Sequence, residues 1–150
     1  QMCIRDRNNS DINEIEPTKA LVSTTIYIDQ TVEGVNVQRP VIIQTPENID
    51  LATNYPVVFA FHGRGGTNTS WVNKLKNFTD SGDFIGIYPQ GYLKSWNLGT
   101  EESKADDVAF VTLIVNELNN LTINVSIQDY NKDGTGTIVC LTVPQHGIKK

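Results

Sequence analysis

A developing oxyanion or a bound phosphate is stabilised by fixed hydrogen-bond donors, and one run of this chain has residue types suited to that task. The stretch Val57-Val58-Phe59-Ala60-Phe61 leads directly into His62-Gly63-Arg64-Gly65-Gly66. Five apolar residues without polar alternation predict a strand buried on both faces, as in a parallel sheet. Glycine admits left-handed backbone angles and lets a ligand approach the main chain. A Gly-rich corner after such a strand therefore suggests free amide hydrogens aimed at an anion. The same residues also suit a tight strand-to-helix turn with no ligand. Asp106-Asp107 is a carboxylate pair that could serve as an acid/base couple or a metal site, but capping and dipole pairing at a helix start is the preferred role. Asp129, Asn131 and Asp133, followed by Gly134, match the first half of a calcium loop. The twelfth position of that loop should carry a bidentate carboxylate and is Cys140, so a polar turn is the competing assignment.

These groups need elements to hold them, and the pattern supplies an α/β order. At 150 residues a single domain is expected, and 39% apolar content suffices for a core. The net charge of -5 argues against a nucleic-acid surface. No apolar run is long enough to span a membrane. Cys3 and Cys140 make neither a disulfide framework nor a metal set. Leu21 to Asp29 and Val35 to Thr45 read as an antiparallel hairpin, with Pro40 favouring an edge position. Thr67 to Ser70 offers helix-capping groups, and Trp71, Leu75 and Phe78 mark one face of a helix ending near Asp80. Phe84 to Tyr88 reads as a second buried strand, so strand–helix–strand predicts a parallel crossover. A loop over 91–104 then leads to a helix opened by Asp106-Asp107. Val108, Val111, Leu113, Ile114, Val115 and Leu118 give it a broad apolar face. Thr137 to Val143 is a further candidate strand.

Taken together, residues 21–131 resemble the esterase branch of the α/β-hydrolases that holds polyhydroxybutyrate depolymerases and feruloyl and acetylxylan esterases. The carrying residues are His62-Gly63-Arg64-Gly65-Gly66, Tyr88-Pro89-Gln90-Gly91, Ser95-Trp96-Asn97 and Ala105-Asp106-Asp107-Val108-Ala109-Phe110, in that order and spacing. The resemblance implies a truncated α/β-hydrolase: an N-terminal β-hairpin leading into a parallel sheet with flanking helices. It implies a carboxylic ester hydrolase acting on a polyester or plant cell-wall ester, secreted, with no cofactor and no metal. Within it, the backbone amides of Gly63, Arg64 and Gly65 would form part of an oxyanion hole, Arg64 foremost. His62 would be a structural residue bonding within the turn, with direct proton transfer the lesser alternative. With His62, Trp96 and Asn97 would line the cleft, or else Trp96 would be a core tryptophan and Asn97 a turn asparagine.

The resemblance breaks where the nucleophile belongs. Its serine should sit in Gly-x-Ser-x-Gly, and none of Ser10, Ser23, Ser70, Ser81, Ser95, Ser103 or Ser126 does. Gln128 to Lys132 resembles the lead into the nucleophile strand, but Ile138 and Val139 stand where Ser and Asn belong. A reading-frame slip or a bad fragment join near Lys132 would account for this, leaving 132–150 an atypical tail and no catalytic triad in the chain. His146 reads as a tail residue. Met2-Cys3-Ile4-Arg5-Asp6-Arg7 resembles a translated sequencing adapter, followed by a disordered lead-in to residue 20. Such a fragment is expected to fold poorly, with a sheet edge uncovered. The Asn-x-Ser/Thr sites at Asn68, Asn77, Asn120 and Asn124 do not by themselves argue export. Two alternatives stand beside the esterase: a non-catalytic carbohydrate- or polymer-binding relative, and the calcium-loop protein.

Overall fold

The two parallel strands that the apolar runs predict lie side by side in a mixed sheet. A computed structural model describes residues 23–50, 53–121, 126–129 and 139–142. In chain order the strands are β1 (Thr24–Val32), β2 (Val35–Gln44), β3 (Val57–Phe59), β4 (Ile85–Pro89), β5 (Ser126–Asp129) and β6 (Val139–Thr142), with helices α1 (Val72–Asp80) and α2 (Asp107–Asn120). The sheet order is β1-β2-β4-β3-β6-β5. The molecule is thus of mixed α/β class.

The hairpin β1–β2 is antiparallel and turns on Glu33 and Gly34, both at positive φ (48° and 82°). That pair of angles is the primed turn whose twist suits a two-residue hairpin. β2 pairs antiparallel with β4, and β3 pairs parallel with β4. Only this one pair is parallel among the described strands, because β6 adds antiparallel to the other edge of β3, Val57 opposite Leu141. The edge of β3 is therefore occupied, by β6, whose four described residues fall within the candidate strand.

Register separates the two faces. Ile43 opposes Ile87 and Val41 opposes Pro89, so these residues and Ile85 share one face. α2 lies there, its Phe110, Ile114 and Leu118 packing with Ile28, Val41, Ile43, Tyr55, Val57, Ile85 and Ile87. The three helix residues recur every fourth position, so the buried stripe is narrower than the broad apolar face expected; Val108 is 81% exposed. α1 covers the opposite face, where Gln44 donates to Val72 O at 3.2 Å. Its expected apolar face is not buried either: Phe78 is exposed and stacks on Phe84, while Thr79 is the buried residue. Residues 68–71 form a separate 3-10 turn before α1, and no side-chain cap hydrogen bond is made at either start.

Two further expectations fail for reasons visible in the register. β3 is not buried on both faces: Val57 is buried, Val58 and Phe59 are half-buried, and Phe61 is 42% exposed. Its main neighbours among the described elements are β4 and β6, with the helices lying over β1, β2 and β4. Pro40 is not on an edge strand, because β2 lies between β1 and β4. It sits where the β2–β4 ladder ends. Gln90 N–H still donates to Pro40 O at 3.0 Å, and the return bond that Pro40 cannot make is replaced by Arg39 Nε, which donates to Gln90 O at 3.1 Å.

Candidate functional site

The C-terminal ends of β3 and β4 converge on the glycine corner. Ala60 N–H donates to Ile87 O, the last bond of the parallel ladder. Beyond it, Gly63 to Gly66 form a β-turn closed by Gly66 N–H to Gly63 O at 2.9 Å. Gly65 takes the third position with φ +76°, which marks a type II turn and favours glycine there. A methyl on Gly66 would stand 2.9 Å from Gly63 O, so this glycine is set by crowding. Gly63 is different: a methyl there would meet nothing within 4 Å.

Of the three amides expected to form a donor set, that of Gly65 is engaged, donating to Lys94 O at 2.8 Å. This removes Gly65 from the set. The amides of Gly63 and Arg64 donate no hydrogen bond among the described residues. The strand beside them ends in a strained loop, where Leu93 and Lys94 both hold positive φ (53° and 56°). Such angles cost non-glycine residues roughly 1 kcal/mol or more each and cluster at functional sites. Here they bring Lys94 O against the corner.

His62 is 3% exposed and both its ring nitrogens are engaged. Nε2 accepts from Gly91 N–H at 2.9 Å. A backbone amide can only donate, so the ring proton sits on Nδ1, which donates to Gly63 O at 2.8 Å. Gln90 completes the arrangement. Its Oε1 accepts from Asn68 N–H at 3.0 Å, which fixes the amide orientation and directs Nε2 toward His62 Nε2, also at 3.0 Å. A histidine so held is a bracket for the turn and has no free nitrogen with which to move a proton.

Both tryptophans reach the same segment. Trp71 Nε1 donates to Phe61 O at 3.0 Å, and Trp96 Nε1 donates to His62 O at 2.7 Å. The Trp96 ring meets Phe61 edge-on and tilts against the His62 ring, each with centroids 5.0 Å apart. It also packs against the α2-side core. Asn97 lies beside it on an exposed turn. Its side chain donates to Ala105 O at 3.1 Å and accepts from Gly99 N–H at 3.1 Å. This is the turn-asparagine role, since both ends of the amide are bonded within its own loop.

Beneath the corner lies a buried polar network that the residue pattern did not reveal. Arg39 is 2% exposed and donates to Asp107 Oδ1 at 2.8 Å, to Gln30 Oε1 at 2.8 Å and to Gln90 O. Its guanidinium carbon lies 3.5 Å over the Phe110 ring. Burial lowers the Arg39 pKa from its ordinary value, and the hydrogen bond and charge of Asp107 pull it back. Asp106 caps α2 by accepting from Ala109 N–H at 2.9 Å, as a helix-start aspartate should. Asp107 is in the first turn, but its hydrogen-bond partners lie outside the helix: Arg39 at Oδ1, and Asn97 N–H, which donates to Oδ2 at 2.6 Å. The signal available in the sequence was register: Arg39 alternates with Val41 and Ile43 on the inward face of β2.

Asn131 and Asp133 of the calcium-loop pattern lie outside the described residues, as do 1–22 and His146. Among the described residues no group of three or more His, Cys, Asp or Glu could hold a metal ion. Among them, too, no helix is long and apolar enough to cross a membrane. No protein-family model matches the chain, and no curated protein matches it.

Proposed function

We propose that this chain carries the oxyanion-stabilising part of a secreted carboxylic ester hydrolase of the α/β-hydrolase type. One observation carries the reading: the adjacent amides of Gly63 and Arg64, at the carboxyl end of a parallel strand, are without an acceptor among the described residues. Ligands of open α/β sheets sit at such strand ends. Attack on an ester carbonyl places negative charge on its oxygen, and a fixed donor at that oxygen lowers the barrier by about 3–4 kcal/mol. The open space at Gly63 lets a carbonyl come close. The attacking serine, its histidine and its acid would come from outside the described residues, through the acyl-enzyme route.

The test is the coding DNA across Lys132, followed by expression of the protein that its intact frame encodes. A Gly-x-Ser-x-Gly run and hydrolysis of a p-nitrophenyl ester that is lost on Ser→Ala at its centre would support the reading. A frame without that run, or hydrolysis indifferent to the serine, would sink it. A second reading, polymer binding without turnover, draws on the exposure of Phe61 beside Trp96. It predicts that the same protein retains polymer and hydrolyses nothing.

A further inference from the structure

After Ala60 the segment leaves the ladder, yet each of its next three carbonyls is held by a fixed donor. Phe61 O takes the Trp71 indole, His62 O takes the Trp96 indole, and Gly63 O takes both His62 Nδ1 and Gly66 N–H. A peptide group is planar and trans, so the carbonyl of one residue and the amide of the next point in opposite directions within one rigid unit. Holding His62 O therefore aims Gly63 N–H, and holding Gly63 O aims Arg64 N–H. These two amides, without an acceptor among the described residues like those of Phe61 and His62, are the far ends of peptide planes pinned at the near end.

We infer that Trp96 is a positioning residue, whose indole N–H sets the direction of the Gly63 amide through the His62–Gly63 peptide plane. Trp71 pins the preceding plane from the opposite side of the sheet, where α1 lies, while Trp96 packs against the α2-side core. The Trp96 bond, at 2.7 Å, is the shorter of the two indole bonds. Preorganised donors act because they need no reorientation when charge appears, and a pinned peptide plane supplies that condition. Trp96 thus acts through the backbone, whatever its ring contributes to the cleft wall. The inference rests on the oxyanion reading for its catalytic consequence and stands on geometry without it.

Trp96→Phe keeps a ring against Phe61 and His62 while deleting the indole donor and part of the bicycle, so Ile85 serves as the control that separates lost packing from the lost bond. Residual dipolar couplings of the backbone N–H vectors report direction. The Gly63 coupling should change markedly, that of Arg64 less, since its plane is held by His62 and Gly66, and that of Ile85, donating to Pro56 O, not at all. An unchanged Gly63 coupling would refute the inference, as would equal changes at Ile85, which signify a general loosening. Should the variant fail to fold, the parent protein decides: the Trp96 indole proton must exchange at least tenfold more slowly than a free indole, and exchange at the free rate refutes the bond. In the enzyme from the intact frame, Trp96→Phe should lower kcat about tenfold with KM within about twofold. A reoriented Gly63 amide with kcat unchanged keeps the positioning role and removes the oxyanion reading.

Discussion

The ends of β3 and β4, neighbouring parallel strands, are built in opposite ways. At the end of β4 the polar groups of Gln90 and Gly91 are engaged: the Gln90 side chain bonds His62 and Asn68, its backbone bonds Pro40 and Arg39, and Gly91 N–H bonds His62. A methyl on Gly91 would overlap the Ser95 carbonyl and come within 3.2 Å of the His62 ring. At the end of β3 the carbonyls are held but the amides of Gly63 and Arg64 are not, and Gly63 has room around it. Glycine therefore serves two purposes within one site. Beside β4 it is a packing necessity, and at Gly63 the chain itself imposes none. The β4 end is scaffold, and the β3 end is the surface that the scaffold presents.

The largest blow to that contrast should come from beneath the scaffold. Arg39→Met removes the cation facing Asp107, which is 18% exposed, and leaves Gln30 Oε1 and Gln90 O without their donor. Breaking a buried pair by removing one partner costs about 3–5 kcal/mol. Partial exposure of Asp107 places this case near 3 kcal/mol, read from urea denaturation. Arg39→Met with Asp107→Asn should recover part of the loss, because no unpaired charge remains. A single-variant loss below about 1 kcal/mol would show that the network does not support the corner.

Next in size is Gly86→Ala. Tyr88 folds back over Gly86 and donates to Gln44 Oε1 at 2.7 Å. An added methyl would overlap the phenol oxygen and stand 2.5 Å from Cζ. The ring must move and the buried hydrogen bond must break, an overpacking cost of about 2–3 kcal/mol. Burial also pushes the Tyr88 phenol up to about 12. Between its ordinary value of 10.0 and that value the folded state holds a proton that the unfolded state has released. Stability therefore falls as pH rises across this window. Tyr88→Phe lacks this slope but leaves Gln44 Oε1 without a donor, a cost of roughly 1–2 kcal/mol at neutral pH. The difference in denaturation midpoint between parent and variant should shrink from pH 9 to pH 12. A constant difference would mean that the phenol is not held away from water.

What the sequence disclosed was local, and what it concealed was carried by partners distant in the chain. The hairpin, the β3–α1–β4 order and the α2 boundaries follow from periodicity and turn residues, which act over a few positions. Pro40 misled because the donor that replaces its missing amide is a side chain, Arg39, bonding a carbonyl 51 residues away. β3 misled because an apolar run cannot say which helices will cover it. His62 was legible as a turn residue, since its acceptor is the next residue, but its contacts with Gln90 and Gly91 were not. Trp71 looked like one apolar position of a helix, and nothing in its spacing announced the bond to Phe61 O. The glycine corner was visible as a motif, while the division between engaged Gly65 and unengaged Gly63 and Arg64 depends on Lys94 O, set by a strained loop.

The smallest stability change is the sharpest test. Gly63 does not occupy a positive-φ conformation, and a methyl there meets nothing. Glycine at such a position is costly, because the unfolded chain has more freedom to lose; alanine should stabilise the fold by about 0.5 kcal/mol. Gly65→Ala, at φ +76°, should instead cost about 1 kcal/mol. The two variants thus move the denaturation midpoint in opposite directions if the corner is built as described. On the proposed esterase reading, the protein encoded by an intact frame should reverse that order in importance. Gly63→Ala sets a methyl beside the unbonded donors and should lower kcat/KM for a p-nitrophenyl ester about tenfold, despite a more stable fold. A stabilised variant with full activity would mean that Gly63 leaves its space to solvent alone, and the β3 end would then be scaffold like its neighbour.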